Sequence, residues 1–440
     1  DGNQHASYSL SPVDPTSTIT IAVTASGYVN AYPSKDDVKV TLKHEGNANT
    51  TSRGYVDYIT VNAWRNLKFS GQQMLFRNPE MTNINKVYEY RVSNATQQMQ
   101  VWNVSNPVSP SRINGQMNGS TFSFCMNGRS DNEFIAFDGS SYFSVVDFGQ
   151  VENQNLHAVR DIDYLIVTYP DFISQAERIK AIHEVQDPEL VTYIATPQQI
   201  YNEFGCGAMD VSAIRDFCRM LYLDSDRKLK YLLLLGDASY DFKNRDGQVC
   251  FVPAYETLMS VNAQKCFVTD DYFGCFDPTE GDIAYSLADI GIGRFPVSTL
   301  EQATQMVDKI EQYIALNEST MQPWRNVVTF VTDDQKEFVD HAEGFEQQLK
   351  TVGGENFVID KIYLGAYEQE DTPNGVLAPS VNKAINSRME KGSLVVNYTG
   401  HGGEVQFAEE RILQRKDVDS WHNGPMYPLM ITGTCEVSRY

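Results

Sequence analysis

The apolar positions of this chain fall into two rhythms. Up to about residue 155 they alternate with polar residues in short runs, which predicts strands at Thr18–Ala25, Val38–His44, Val56–Asn62, Val87–Val92, Gln98–Val104, Thr121–Cys125 and Glu133–Phe137. Turn signals such as Asn106-Pro107 and Asn114-Gly115 separate them. The expectation is an all-β, sandwich-like domain over residues 1–155. It gathers no cluster of catalytic residue types, so it reads as a scaffold or docking module.

From about residue 160 continuous apolar runs alternate with amphipathic stretches. Strands are predicted at Tyr164–Thr168, Leu190–Ala195 and Tyr231–Leu235, with helices at Ser174–Glu184 and Val211–Tyr222 between them. Strands buried on both faces and joined by helices form a parallel sheet. Ile214, Phe217, Cys218 and Leu221 make one stripe behind an Asp210 cap, so Cys218 reads as a core residue. A helix Leu300–Leu316, opened by Ser298 and Glu301 at capping-box spacing, leads to a polar boundary at Asn317–Pro323. The alternation then resumes with strands at Val327–Thr332, Phe357–Leu364, Leu394–Tyr398 and Leu429–Thr432, and helices near Glu337–Thr351 and Ser380–Lys391. The chain is expected to be multidomain, with two parallel-sheet α/β subdomains at 156–320 and 321–440 after the β-rich part.

Length agrees with several domains, since 440 residues exceed what one ordinary core organises. Charge removes one class of function: 35 Lys and Arg against 57 Asp and Glu leave −22, which repels a phosphate backbone, so no nucleic-acid partner is expected. No apolar run reaches the roughly 18–20 residues of a membrane span. Seven cysteines without a C-x-x-C pair argue against a zinc ribbon. Cys206/Cys218 and Cys250/Cys266 are spaced for local disulfides, and a fully reduced set is equally compatible.

In sheets of this kind catalytic groups collect at the carboxyl ends of strands. Four such ends carry polar residues: Gly236-Asp237, Asp333-Asp334, Tyr398-Thr-Gly-His401-Gly-Gly and Thr432-Gly-Thr-Cys435-Glu436. The last two form the sharpest pair. A thiolate attacks a carbonyl, an adjacent imidazole takes the thiol proton and returns it to the leaving amine, and glycines let backbone N–H groups approach the oxyanion.

Val395-Val-Asn-Tyr-Thr-Gly-His-Gly-Gly403 followed by Thr432-Gly-Thr-Cys435 resembles the His and Cys boxes of the gingipain family of cysteine peptidases, in the caspase-like clan. Upstream, Ile200-Tyr-Asn-Glu-Phe-Gly205, Ala213-Ile-Arg-Asp-Phe217, Leu232-Leu-Leu-Leu-Gly-Asp237 and Gly291-Ile-Gly-Arg-Phe-Pro296 resemble the first half of that family's catalytic region. The resemblance implies Cys435 as nucleophile, His401 as general acid and base, the N–H groups of Gly402 and Cys435 as oxyanion donors, and Asp334 as the carboxylate orienting the imidazole, with Asp333 the near alternative. The N-terminal part and Tyr164-Leu-Ile-Val-Thr-Tyr-Pro-Asp-Phe172 look most like the branch of the family that acts as signal peptidase and sortase of the type IX secretion system in Bacteroidetes. This implies cleavage of C-terminal targeting domains from exported cargo, transfer of the acyl-enzyme to a surface lipopolysaccharide amine, secretion subunits as partners and a place on the outer face of the outer membrane. A docking component without activity and a general secreted protease are the alternatives.

Two departures from the family pattern stand out. Glu337-Phe-Val-Asp340 replaces the segment that carries an arginine-selecting acid in the arginine-specific members. Only five residues follow Cys435, where the family continues with further elements, so a catalytic region cut short just after the nucleophile is expected. No cofactor is required by the chemistry. Asp277-Pro-Thr-Glu280-Gly-Asp282 concentrates oxygen ligands, and calcium, a metal of gingipains, is the ion such a turn would take; an ordinary acidic turn is the competing reading.

Overall fold

The computed structural model describes residues 6–17, 19–32, 38–46, 51–147, 149–224, 229–245, 247–280, 286–373, 375–435 and 437. They fall into two compact units, Tyr32–Glu152 and Gly2–Ala31 with Asn153–Tyr440.

The first unit holds β1 (Gln73–Arg77), β2 (Val87–Ser93), β3 (Gln100–Asn103), β4 (Ser111–Arg112), β5 (Gln116–Asn118), β6 (Thr121–Asn127) and β7 (Glu133–Phe137). They pair as antiparallel sheets in the orders β1-β7-β3-β4 and β2-β6-β5. Alternate residues of both sheets meet in one core: Tyr90 stacks on Phe124 at 4.9 Å, and both present their rings edge-on to Phe134, at 5.0 and 5.1 Å. Such ring pairs are worth about 1 kcal/mol each beyond their burial.

Four of the seven expected strands are present here, as β2, β3, β6 and β7. The described parts of Thr18–Ala25, Val38–His44 and Val56–Asn62 are not strands, and Thr18 itself lies outside the described residues. Thr20 makes one isolated bridge, to Asn262, while Val40, Leu42, Val56 and Val61 are 52, 63, 57 and 56% exposed. Alternation makes a strand only when a neighbour supplies the ladder and a core takes the apolar face; the first segment has only a short run of bonds to Val261–Ala263, and the described parts of the other two pair with no strand.

The second unit contains two parallel sheets. In the first, β8 (Tyr164–Thr168), β9 (Thr192–Ala195), β10 (Tyr231–Leu235) and β13 (Gly291–Phe295) lie in the order β13-β10-β8-β9. Leu165, Val167, Leu232 and Leu234 face one side, towards α2 (Pro197–Phe204) and α3 (Val211–Asp224). Ile166, Leu233 and Leu235 face the other, towards α1 (Ile173–Gln186) and α4 (Leu300–Ile314). Burial on both sides is why these strands read as unbroken apolar runs. The ribbon of β11 (Tyr255–Glu256) and β12 (Val268–Thr269) is antiparallel and separate. Buried Arg294 ties the sheet's carboxyl end together: it pairs with Asp270 at 2.8 Å and donates to the carbonyls of Gly236, Val252 and Pro253.

The second sheet is built from β14 (Val327–Thr332), β15 (Val358–Tyr363), β18 (Val395–Thr399) and β21 (Leu429–Gly433), in the order β15-β14-β18-β21. Val328 and Phe330 pack on Ala342 of α5 (Lys336–Thr351); Val331, Val396 and Tyr398 pack on Val381, Ile385 and Met389 of α6 (Pro379–Lys391). Two antiparallel ribbons, β16 (Glu370–Thr372) with β17 (Gly375–Leu377) and β19 (Gln406–Phe407) with β20 (Leu413–Gln414), and the short α7 (Arg415–Asp419) complete it.

One cap is displaced from its expected place. Thr299, not Ser298, caps α4 by accepting from Gln302 N, and Ser298 N donates to Gln302 Oε1, so this pair of bonds replaces the expected Ser298–Glu301 box. All seven cysteines are free thiols; Cys218 lies wholly within the core of α3, where burial pushes its thiol well above the ordinary range.

Candidate active site

Every residue of β18 faces the residue of β21 that lies 34 positions later, from Val395 opposite Leu429 to Thr399 opposite Gly433. The last rung is closed by Gly400 N, which donates to Gly433 O at 3.3 Å. His401 and Cys435 are also 34 positions apart. Each therefore follows its strand end by two residues, on neighbouring strands, and both are exposed.

Glycines permit this closeness. A methyl group on Gly400 would lie 2.6 Å from Asp333 Cβ and 2.6 Å from the Tyr398 hydroxyl. On Gly402 it would lie 2.4 Å from Thr434 Oγ1 and 3.1 Å from the carbonyl oxygen of Cys435. The backbone after His401 thus passes directly against the backbone at the cysteine. Among the described residues neither Gly402 N nor Cys435 N has a hydrogen-bond partner, which is the condition an oxyanion donor must meet.

His401 is fastened from several sides. Its N–H donates to Asp333 Oδ2 at 3.0 Å, and its carbonyl accepts from Ala408 N at 2.9 Å and from the Tyr398 hydroxyl. Tyr398 is fully buried and stacks on Phe407 at 4.1 Å, and burial raises its hydroxyl above the usual range. The ring meets Phe338 edge-on at 5.3 Å, and Gln335 Nε2 lies 2.9 Å from His401 Nε2.

The carboxylates take other positions. Asp333 is buried and spends its oxygens on backbone, Oδ2 on His401 N and Oδ1 on Asp334 N at 2.8 Å. Asp334 Oδ2 is met by Gln369 Nε2 at 3.4 Å, and among the described contacts Asp334 makes none with the imidazole. The ring's partner is Gln335, a residue that spacing did not single out; its only sequence signal is that it follows Asp333-Asp334 at a strand end. Glu410, behind the site, has its carboxyl raised by burial and by the charges of Asp333, Asp334 and Glu409.

Other candidates lie elsewhere. Asp277 N donates to Glu280 Oε2 at 2.9 Å, closing the acidic turn, and the guanidinium of Arg215 reaches the carbonyls of Cys275, Asp277 and Glu280. Asp282 and Glu436 lie outside the described residues. Among the described residues no three His, Cys, Asp or Glu side chains are grouped to hold a metal ion. Asp237 accepts from Ser298 Oγ, and Asp241 pairs with Arg245.

The family model of peptidase family C25 matches residues 157–440. The chain belongs to that family. Family C25 comprises the gingipain cysteine peptidases, so the match covers both parallel sheets and both residues of the pair. Among solved structures the chain is similar to dimeric latent PorU from Porphyromonas gingivalis, at 26% identity and a TM-score of 0.48 over 56% of this chain and 25% of that one. It is also similar to the Arg-specific cysteine proteinase gingipain R, at 18% identity and a TM-score of 0.46 over 64% of this chain and 56% of that one. The chain thus spans between a quarter and just over half of the length of these C25 structures. No curated protein matches it. No helix among its described residues is long and apolar enough to cross a membrane.

Proposed function

We propose that this C25 member is a cysteine endopeptidase and transpeptidase in which Cys435 attacks the substrate carbonyl and His401 moves the proton. The observation that supports this reading is the common 34-residue offset, by which His401 and Cys435 each follow, by two residues, the ends of the neighbouring strands β18 and β21. The imidazole takes the Sγ proton, the thiolate adds to the carbonyl, and the N–H groups of Gly402 and Cys435 face the resulting oxyanion. The imidazolium then protonates the departing amine, leaving a thioester. Water or a second amine resolves it. Asp333 and Asp334 supply negative charge on the histidine's side, Asp333 through the backbone N–H of His401.

The resemblance of the N-terminal part and of Tyr164–Phe172 to the signal-peptidase branch of the family supports exported proteins with C-terminal targeting domains as substrates. A lipopolysaccharide amine is the proposed acceptor, secretion subunits are the proposed partners, and the outer face of the outer membrane is the proposed place of action. Calcium in the turn at Asp277, Glu280 and Asp282 belongs to the same reading.

A thiol-reactive peptidyl probe tests the core of the proposal. Labelling should fall on Cys435 and be lost in His401→Ala. Labelling of other cysteines only, or labelling of Cys435 indifferent to His401, sinks it. Mass spectrometry of a candidate cargo incubated with the protein, with and without an added amine, then reads the new C-terminus and separates hydrolysis from transfer.

A further inference from the structure

From the contacts around the imidazole we infer that Gln335 is the positioning residue of His401, in the place where a carboxylate would be expected. The inference rests on the reading of His401 and Cys435 given above. Its basis is the division of labour along one strand-end segment. Asp333 holds the backbone of His401, Gln335 Nε2 stands 2.9 Å from the ring nitrogen Nε2, and Phe338 closes the ring's side at an interplanar angle of 86°. Both oxygens of Asp333 are engaged by backbone N–H groups, and Asp334 is turned to Gln369. Among the described contacts the ring therefore has an uncharged polar partner and an aromatic one, and no carboxylate.

An amide differs from a carboxylate in two respects that matter here. It is neutral, so it does not by charge favour imidazolium over imidazole, whereas a carboxylate in contact raises an imidazole pKa by about one to three units. It also offers both a donor and an acceptor. With its NH₂ group towards the ring, Nε2 of the imidazole accepts and the ring proton sits on Nδ1. With the amide turned by 180°, Oε1 accepts from Nε2–H and the lone pair of Nδ1 is free. In that second state the Cys435 Sγ–H bond breaks, the proton passes to Nδ1, and the imidazolium keeps its Nε2–H bond to Oε1. The same Nδ1 proton later goes to the leaving amine, so the balance closes without another reactant. One amide rotation thus decides whether Nδ1 is free to work as base, a choice a carboxylate accepting from Nε2–H would fix in advance.

The test uses the full chain and two readouts. In a Cys435→Ala background, ¹⁵N shifts of His401 followed through a pH titration report the ring directly, whether or not substrate is turned over. Gln335→Glu should raise the His401 pKa by about one unit or more. With the thiol intact and a fluorogenic peptide, Gln335→Ala should lower kcat about tenfold with KM within about twofold, the signature of lost orientation. Gln335→Glu should recover part of that kcat with its pH profile displaced upward. Gln335 is exposed, so these variants should fold. The inference is overturned if Gln335→Glu leaves the His401 titration in place, or if Asp334→Asn costs more kcat than Gln335→Ala. Failure of the underlying reading looks different: Cys435→Ala would then retain turnover, while the titration still reports on Gln335.

Discussion

His401 and Cys435 each lie two residues beyond Thr399 and Gly433, the last paired residues of the parallel ladder between β18 and β21. Their approach is set by sheet geometry, with β18 and β21 hydrogen-bonded throughout, and Gly402 lets the two strand ends close on each other.

Both members of the pair are exposed, so removing either should cost activity and spare the fold. Cys435→Ala and His401→Ala should each lower kcat/KM on a peptide substrate by about 10³-fold or more. Urea midpoints should change by less than the equivalent of about 0.5 kcal/mol. A variant that loses stability along with activity would say nothing of chemistry; one that keeps both would remove that residue from the mechanism.

Gly402→Ala places a methyl group 2.4 Å from Thr434 Oγ1. The expected result is a kcat reduced at least tenfold, because the strand ends must part and the oxyanion donors move with them. Thr434→Ala removes the obstructing hydroxyl and methyl. Combined with Gly402→Ala it should recover part of the loss, a coupling that a double-mutant cycle measures.

Arginine selection needs a carboxylate left free to meet a guanidinium in a pocket. In the segment that differs from the arginine-specific members, Asp340 is paired with Lys336, and Phe338 presents its ring to His401. A peptide-library assay should therefore show no strong preference for Arg or Lys before the cut. Strong selection for Arg that disappears on mutating a nearby acid would show the pocket to be of the arginine-specific kind.

Glu203 gives a pH-dependent contribution to stability. Burial alone would raise its carboxyl, yet bonds from the N–H groups of Leu156 and His157, from Gln154 and from the His157 ring bring it down to about 2. A carboxyl lowered on folding stabilises above its unfolded value, near 4.5, and loses that contribution as the pH falls towards 2. Glu203→Gln should lower stability at pH 7 by roughly 2 kcal/mol. The gap between the two proteins should shrink between about pH 4.5 and 2; a constant gap would mean that packing, not charge, is responsible.

How much of this was legible beforehand depends on what fixed each element. Tyr164–Thr168, Tyr231–Leu235 and Val327–Thr332 are strands over the expected residues because burial on both faces leaves an unbroken apolar run that nothing else explains. The alternation at Val38–His44 and Val56–Asn62 was equally regular, and the structure gives it no neighbouring strand. His401 and Cys435 could be picked out because strand ends concentrate chemistry. Gln335 could not, because a side-chain contact across 66 positions is decided by how β14 and β18 pair, and local pattern carries no record of that.

β18 lies between β14 and β21, and the loop that follows it is tied down at one residue from several directions. Asp333, Tyr398, Ala408 and Gln335 all bond to His401. The base of the proposed reaction is therefore a fixed post, and the His401 amide, bonded to a buried carboxylate, should exchange slowly for a residue on an exposed loop.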